Sequence, residues 1–447
     1  MDAPPLPSRK QALQTSDAIM SLLHARRARS HTWCVLSLVV LVLTPVIFGR
    51  RSTTAADKKD CPKRISSSCS NTDVHVRTAF SAFGLQLFAT LCADTPHGNV
   101  VLSPLVVAGA LTLAAAGATP GGTTLTELLG VLGLRSHTEF AALSSQLLSG
   151  KGAAVHAANG IFTKSAVKPE YAAVVKSVHA AATSELGSSF EPINAWVSDK
   201  TEGRVTNMLE GPPDPLLTAV LVSAVTFKGS WAARFDPAAT APAHFSSVDG
   251  KHLRAHFMRR TGSMAASARV ESLAGAAVLR LDYGEHSSSG SDSDYCALLV
   301  LPRDEGRTAL AKTLEALTRA SPLELLSRLR TQTVKLALPK LKASYGTASI
   351  KAALHSLGIE AAFDGRNGFL VMSDDPEVHI GDVVTKATLE LDEEGTEAAA
   401  AAAVKVMTRS MPLPPFELTF NRPFLMAIIH TPSGAPLFLA QLHAPVA

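Results

Sequence analysis

The chain has 447 residues, 46% hydrophobic and 18% charged, so it carries enough apolar material to bury a large core. Its 42 basic and 38 acidic residues leave a net charge of +4, too balanced and too dispersed along the chain to argue for nucleic acid. Four tyrosines and three tryptophans also leave little for base-stacking platforms.

Residues 1–72 stand apart as a leader and polar tail. Trp33 to Phe48, "WCVLSLVVLVLTPVIF", is uncharged and flanked by Arg26, Arg27 and Arg29 before and by Arg50 and Arg51 after. At about 1.5 Å per residue it spans roughly 24 Å, short for a membrane helix and long enough for the apolar core of a signal peptide. Thr54-Ala55-Ala56, just before Asp57, supplies the small residues that a signal peptidase prefers, while the long leader favours an uncleaved signal-anchor. Both readings send the rest of the chain into the secretory lumen or outside, secreted or held by residues 33–48. A buried core helix is the third reading. Of the five cysteines, Cys34 lies in this segment, and Cys61 and Cys69 fall in the tail as either a small disulfide loop or two unrelated thiols. Cys92 and Cys296 sit in apolar runs and read as core residues.

From about residue 73 onward the pattern is continuously globular. Phe80, Phe83, Leu87 and Leu91 recur at helical spacing, as do Leu125, Leu128, Leu129 and Leu132. Thr124 and Glu127 predict a capping box for the second of these helices. Ser321-Pro322-Leu323-Glu324 predicts another helix with proline at its first position, and Ile350, Leu354 and Leu357 predict one that stops at Gly358. Val220 to Phe227, Val334 to Leu338, Phe424 to Ile429 and Leu437 to Leu442 read as strands, the last two joined by the turn "HTPSGAP" and apolar enough to be buried on both faces. "EHSSSGSDSD", Glu285 to Asp294, reads as a solvated loop. These elements predict one α+β domain over residues 73–447, with helices early and a sheet-rich second half.

The residues offer no catalytic site. Ser188 and Ser230 lack the glycine frame of a nucleophile elbow, and there is no Walker motif, dinucleotide fingerprint, CxxC pair or HExxH. The stretch Asp392 to Pro415, "DEEGTEAAAAAAVKVMTRSMPLPP", carries a different pattern. Thr396, Ala398, Ala400, Ala402, Val404 and Val406, taken by twos, are all small or β-branched and uncharged; the other parity holds Glu397 and Lys405. As a strand, one face could enter a packed sheet while the other meets solvent. A surface helix or alanine-rich linker is the alternative reading. Met407 to Met411 follows as exposed bait, and "PLPP" favours extended backbone. Arg409 suits the carboxylate in the specificity pocket of a trypsin-like protease, through two charge-assisted hydrogen bonds. Lys405 is a weaker rival.

At this point the chain resembles a serpin over nearly all of residues 74–447. The matching blocks are "NVVLSPLVVAGALTLAAAGATPGGTT" (Asn99–Thr124), "ANGIF" (Ala158–Phe162), "INAWVSDKTEGRVTNML" (Ile193–Leu209) and "LVSAVTFKGSW" (Leu221–Trp231). They continue with "LPRDEG" (Leu301–Gly306), "LPKLK" (Leu338–Lys342), "EEGTEAAAAA", "FNRPF" (Phe420–Phe424) and "PLFLAQL" (Pro436–Leu442). The resemblance implies a fold of three β-sheets and about nine helices, with an exposed reactive-centre loop near residues 393–415. It implies a protease inhibitor rather than an enzyme, acting as a monomer without a cofactor. In the family the bait residue usually lies fourteen positions after the hinge glycine; from Gly395 that register lands on Arg409, making Arg409–Ser410 the implied scissile bond. The implied hinge comprises Glu393, Glu394, Gly395, Thr396, Glu397, Ala398, Ala399, Ala400, Ala401 and Ala402. Ala402 stands where threonine is more usual. The implied partner is a trypsin-like serine protease, trapped covalently as the cleaved loop enters the large sheet. A non-inhibitory chaperone or carrier is the alternative, although such members often break the small-residue run.

The sequence departs from the family at the sheet opening, where two serines, an asparagine and a histidine are common. The matching positions are Ser103, Val106, Ser223 and Thr385, and Trp231 is grouped with them. Leu134 to Lys151, which resembles a heparin-binding region of some relatives, holds only Arg135 and Lys151 as fixed cations, so glycosaminoglycan activation is not expected.

Overall fold

The structure is a computed structural model that describes residues 71–284, 286–287, 290–291, 293–344, 348–396 and 414–445. All of them fall in one unit, Ser68–Ala447. The apolar segment 33–48, Cys34, Cys61, Cys69, hinge residues Glu397 to Ala402 and the bond Arg409–Ser410 lie outside the described residues.

The described helices are α1 (Asn71–Asp94), α2 (Pro104–Gly117), α3 (Thr123–Leu132), α4 (Glu139–Leu148), α5 (Pro169–His179), α6 (Glu191–Lys200), α7 (Arg307–Thr318), α8 (Pro322–Arg328), α9 (Lys351–Ser356) and α10 (Ala361–Asp364). The strands of the first half are β1 (Val100–Leu102), β2 (Ala154–Thr163), β3 (Ala182–Glu185), β4 (Ala219–Ser230), β5 (Ala241–Ser246), β6 (His252–Val270), β7 (Ala276–Asp282), β8 (His286–Ser287) and β9 (Gly290–Ser291). Those that follow are β10 (Tyr295–Leu301), β11 (Arg330–Pro339), β12 (Leu341–Ser344), β13 (Ala348–Ser349), β14 (Asp382–Leu391), β15 (Gly395–Thr396), β16 (Phe416–Thr419), β17 (Phe424–His430) and β18 (Ala435–Leu442).

The helical periodicity of the first half is realised in α1, which buries Phe80, Phe83, Leu87 and Leu91. By length and apolarity Thr72–Asp94 could cross a membrane, yet half of it is buried inside the fold. Every residue of α2 is buried, which suits a helix apolar all round and enclosed by protein. The capping box predicted at Thr124 does not form. Thr123 begins α3, Thr124 Oγ1 donates to Ala361 O, and Glu127 accepts from the backbone N–H groups of Glu360 and Ala361 at 2.8 Å each. The carboxylate thus caps another helix, α10, because the first N–H groups of a helix have no partner within it and tertiary packing brings them to Glu127. Proline opens α8 as predicted, and Gly358, at φ 101°, ends the turn after α9.

A nine-stranded sheet runs β1-β18-β17-β10-β7-β6-β11-β16, with β5 on β6; a seven-stranded sheet runs β12-β14-β4-β2-β3, with β13 on β14 and β15 on β4. The first is two of the implied sheets in one, because the 19-residue β6 passes through both. β17 and β18 are buried along their whole length, and Cys92 and Cys296 are buried thiols. The stretch read as a loop, Glu285 to Asp294, contains a small hairpin in which β8 and β9 pair His286 with Ser291. Close backbone pairing across a glycine is enough to form it.

Candidate functional site

The central strand of the seven-stranded sheet is β4, and its two faces are both covered. Leu221, Val225 and Phe227 point into the main core; Val220, Val222 and Ala224 point into a second cluster with Phe190, Ile193 and Val197 of the α6 region. Among the residues of β4 only Lys228 is exposed. On one side β4 pairs antiparallel with β2; on the other it pairs parallel with β14, from Asp382↔Val220 to Thr388↔Thr226. The sheet is therefore closed below Thr226.

A polar row crosses the closed part. Asn159, Ser223 and Thr385 are register partners on β2, β4 and β14. Ser223 Oγ donates to Val106 O at 3.3 Å. With its amide turned to suit its neighbours, Asn159 Nδ2 donates to Val106 O at 3.1 Å and to Ser223 Oγ at 3.2 Å. Gly109 leaves space for that amide, since a Cβ there would strike the end of the Asn159 side chain. Ser103 and Thr385 are buried, and neither Ser103 Oγ nor Thr385 Oγ1 has a partner among the described residues. A buried hydroxyl without a partner costs about 1–3 kcal/mol. Replacing it with an apolar group of similar shape is therefore expected to help: Thr385→Val should raise unfolding stability by about 1 kcal/mol, read as a higher denaturant midpoint at unchanged slope.

Of the sequence-predicted positions Ser103, Val106, Ser223 and Thr385, the last three meet in this row, while Ser103 is buried just before α2, one turn ahead of Val106. Sequence reasoning missed Asn159, although a polar residue inside the apolar run "ANGIF" was the available signal. Trp231 does not belong to the row. It follows β4, eight residues beyond Ser223, and works at the hinge instead, because the strand carries it about 27 Å along the sheet.

At the hinge the chain leaves β14 and turns back at once. The Asp392 carboxylate accepts from Glu394 N at 2.9 Å and Gly395 N at 3.0 Å, closing a tight turn. Gly395 and Thr396 then pair antiparallel with Ser230 and Gly229 as β15. Gly395 has φ 145°, and a Cβ there would collide with Gly229 O and Ser230 Cα, so only glycine fits. Trp231 stacks on Tyr283 at 4.6 Å, donates from Nε1 to Asp392 O at 3.0 Å, and gives its backbone N–H to Glu394 O at 2.8 Å. Glu393 is buried; its carboxylate meets Lys340 Nζ at 2.7 Å and accepts from Thr240 Oγ1 at 2.8 Å. Burial pushes this carboxyl up, but the hydrogen bonds from Lys340 and Thr240 outweigh it and hold the group below its usual value. Glu393, Glu394, Gly395 and Thr396 are the hinge positions that the structure describes.

The arrangement is a sheet that is closed at its middle, open at one end, and already entered there by two residues of a longer segment. A family model for serpins, serine protease inhibitors, matches residues 78–445. The chain belongs to the serpin family. It is 30% identical to Iripin-5 of Ixodes ricinus over 385 residues, covering 82% of this chain and 94% of that relative. It is 30% identical to the leukocyte elastase inhibitor of Sus scrofa over 393 residues, covering 82% of this serpin and 98% of the relative. Human thyroxine-binding globulin, solved with its hormone, superposes with a TM-score of 0.72 at 23% identity, covering 84% of this serpin and 100% of that chain. At that identity the likeness is one of fold.

Proposed function

We propose that this serpin inhibits trypsin-like serine proteases as a suicide substrate cleaved at Arg409–Ser410. The observation that carries the reading is β15: Gly395↔Ser230 and Thr396↔Gly229 set the register in which the following residues would continue. Carried forward, Ala398, Ala400, Ala402 and Val404 fall opposite Phe227, Val225, Ser223 and Leu221, on the main-core face. Ala399, Ala401 and Ala403 fall opposite Thr226, Ala224 and Val222, on the face toward the α6 cluster. Both faces are covered, which gives a reason for six consecutive alanines that the alternation of strand faces alone did not. Glu397, the one acidic residue in the run, falls opposite Lys228, the exposed position of β4. Ala402 meets the polar row at Ser223 and Thr385, where a small side chain is needed.

Entry would exchange the parallel ladder between β4 and β14 for two antiparallel ones, which are somewhat more stable per residue. In the proposed mechanism the protease serine attacks Arg409, an acyl-enzyme forms, and the released segment continues into the sheet. The tethered protease is dragged along. Distortion of its oxyanion hole, whose donors are worth roughly 3–4 kcal/mol each in the transition state, stalls deacylation. The names of inhibitory relatives support this reading at the level of the family. The leader supports a secretory location, and the absence of a broken hinge run weighs against the carrier alternative.

The test is direct. Incubation with trypsin should give an SDS-resistant adduct with a new N-terminus at Ser410; clean cleavage without adduct would favour the non-inhibitory reading. Cleavage of the loop alone should raise the melting temperature by about 20–40 °C. On the order of ten added ladder bonds, at roughly 1 kcal/mol net each and about 2–4 °C per kcal/mol, lead to that figure. A lower melting point after cleavage would refute insertion.

A further inference from the structure

His443, the residue after β18, is 2% exposed, and neither of its ring nitrogens has a hydrogen-bond partner among the described residues. Its backbone is clamped: Asn99 Oδ1 accepts from His443 N at 2.7 Å and Ala444 N at 3.2 Å, and Asn99 Nδ2 donates to Ala444 O at 2.8 Å. The charged and titratable groups facing the ring come from three other elements. They are His97 between α1 and β1, Asp249 in the turn between β5 and β6, and Arg307, the first residue of α7. These three interlock. His97 Nδ1 lies 2.9 Å from Asp249 Oδ1, while Arg307 Nη2 lies 2.9 Å from His97 Nε2 and 3.8 Å from the same carboxylate oxygen. One carboxylate already answers one guanidinium, so an additional proton on His443 would have no counter-charge and no acceptor.

We propose that His443 is a proton-operated latch: uncharged, its ring stays in the pocket, and protonated, it is expelled and the end of β18 loosens from β1. Histidine is the side chain that ordinarily changes charge between pH 5 and 8. Burial first, then the nearness of His97 and Arg307, pull the His443 ring down to about 4, only partly offset by Asp249. A folded value below the open-state value means that stability is full above the open-state range and is lost as pH falls toward the folded value. The place matters because β1 is the outermost strand and pairs with β18 through Val100↔Gln441, Val101↔Ala440 and Leu102↔Leu439. The residue after β1 is Ser103, buried at the start of α2 one turn before Val106, whose carbonyl the polar row contacts. An acid-loosened β1 therefore frees the wall against which the central sheet is closed.

The experiment is amide exchange on the whole chain, corrected for intrinsic rates and read at Val100–Leu102 and Gln441–Ala444. From pH 7.5 to 5.0 the opening constant of both segments should rise on the order of tenfold. His443→Leu, which keeps a buried apolar side chain and removes the titration, should abolish that rise. The local readout separates the latch from the His137–His179 contact, whose rings are also pulled down by burial. Equal exchange at both pH values in the unaltered protein would overturn the proposal. A rise that persists unchanged in His443→Leu would overturn it equally.

Discussion

Arg409→Ala should lower the second-order rate of trypsin inhibition by roughly four orders of magnitude, with little change in melting temperature. A protease pocket built around a carboxylate loses two charge-assisted hydrogen bonds and leaves that carboxylate unpaired when alanine enters. Such sites reject analogues lacking the polar group by about 10⁴–10⁵. The measurement is progress-curve inhibition at several inhibitor concentrations. Because the position is outside the packed sheet in the proposed uncleaved state, stability should be unaffected. Inhibition at the unaltered rate would show that another residue, with Lys405 first in line, is the bait.

Thr396→Arg should leave cleavage at Arg409 intact and destroy trapping. Thr396 is the register partner of Gly229, where a Cβ would meet Phe227, Tyr283 and Ala153, so the face that receives it is apolar. In the uncleaved chain an arginine there can leave β15 for solvent, whereas full insertion would bury its guanidinium unpaired, at a cost of several kcal/mol. Even about 3 kcal/mol on the insertion barrier slows it more than a hundredfold, and hydrolysis of the acyl-enzyme then wins. The expected readout is a stoichiometry of inhibition raised at least about tenfold and cleaved chain in place of adduct. Together the two substitutions separate recognition from trapping: the first loses cleavage and adduct, the second only adduct. Persistent adduct with Thr396→Arg would mean that the hinge does not enter the sheet.

Much of the fold was legible because its signals are local. Helical spacing in α1 and α3, proline at the start of α8 and continuous apolar runs in β17 and β18 each depend on neighbours a few residues away. Apart from the short hairpin at 286–291, the differences were matters of distance along the chain. Glu127 was read as the cap of its own helix and instead caps α10, more than two hundred residues on, because the donors it meets are brought by tertiary packing. Trp231 was grouped with the polar row and stands at the hinge, since a strand separates side chains by its length. Asn159 was passed over because a single polar residue in a strand has no meaning until Val106 and Ser223 are placed beside it.

By itself, the sequence was sufficient for the family and for several of the helices and strands, because those rest on spacing, turn chemistry and runs of apolar or small residues. Only the tertiary structure decided that both faces of β4 are covered, that the sheet is shut by β14 as far as Thr226, and that Thr385 at its middle has no partner for its hydroxyl among the described residues. Pairing of strands more than a hundred and fifty residues apart leaves no local trace. Whether a hydroxyl finds an acceptor is settled by whichever distant backbone packing delivers to it.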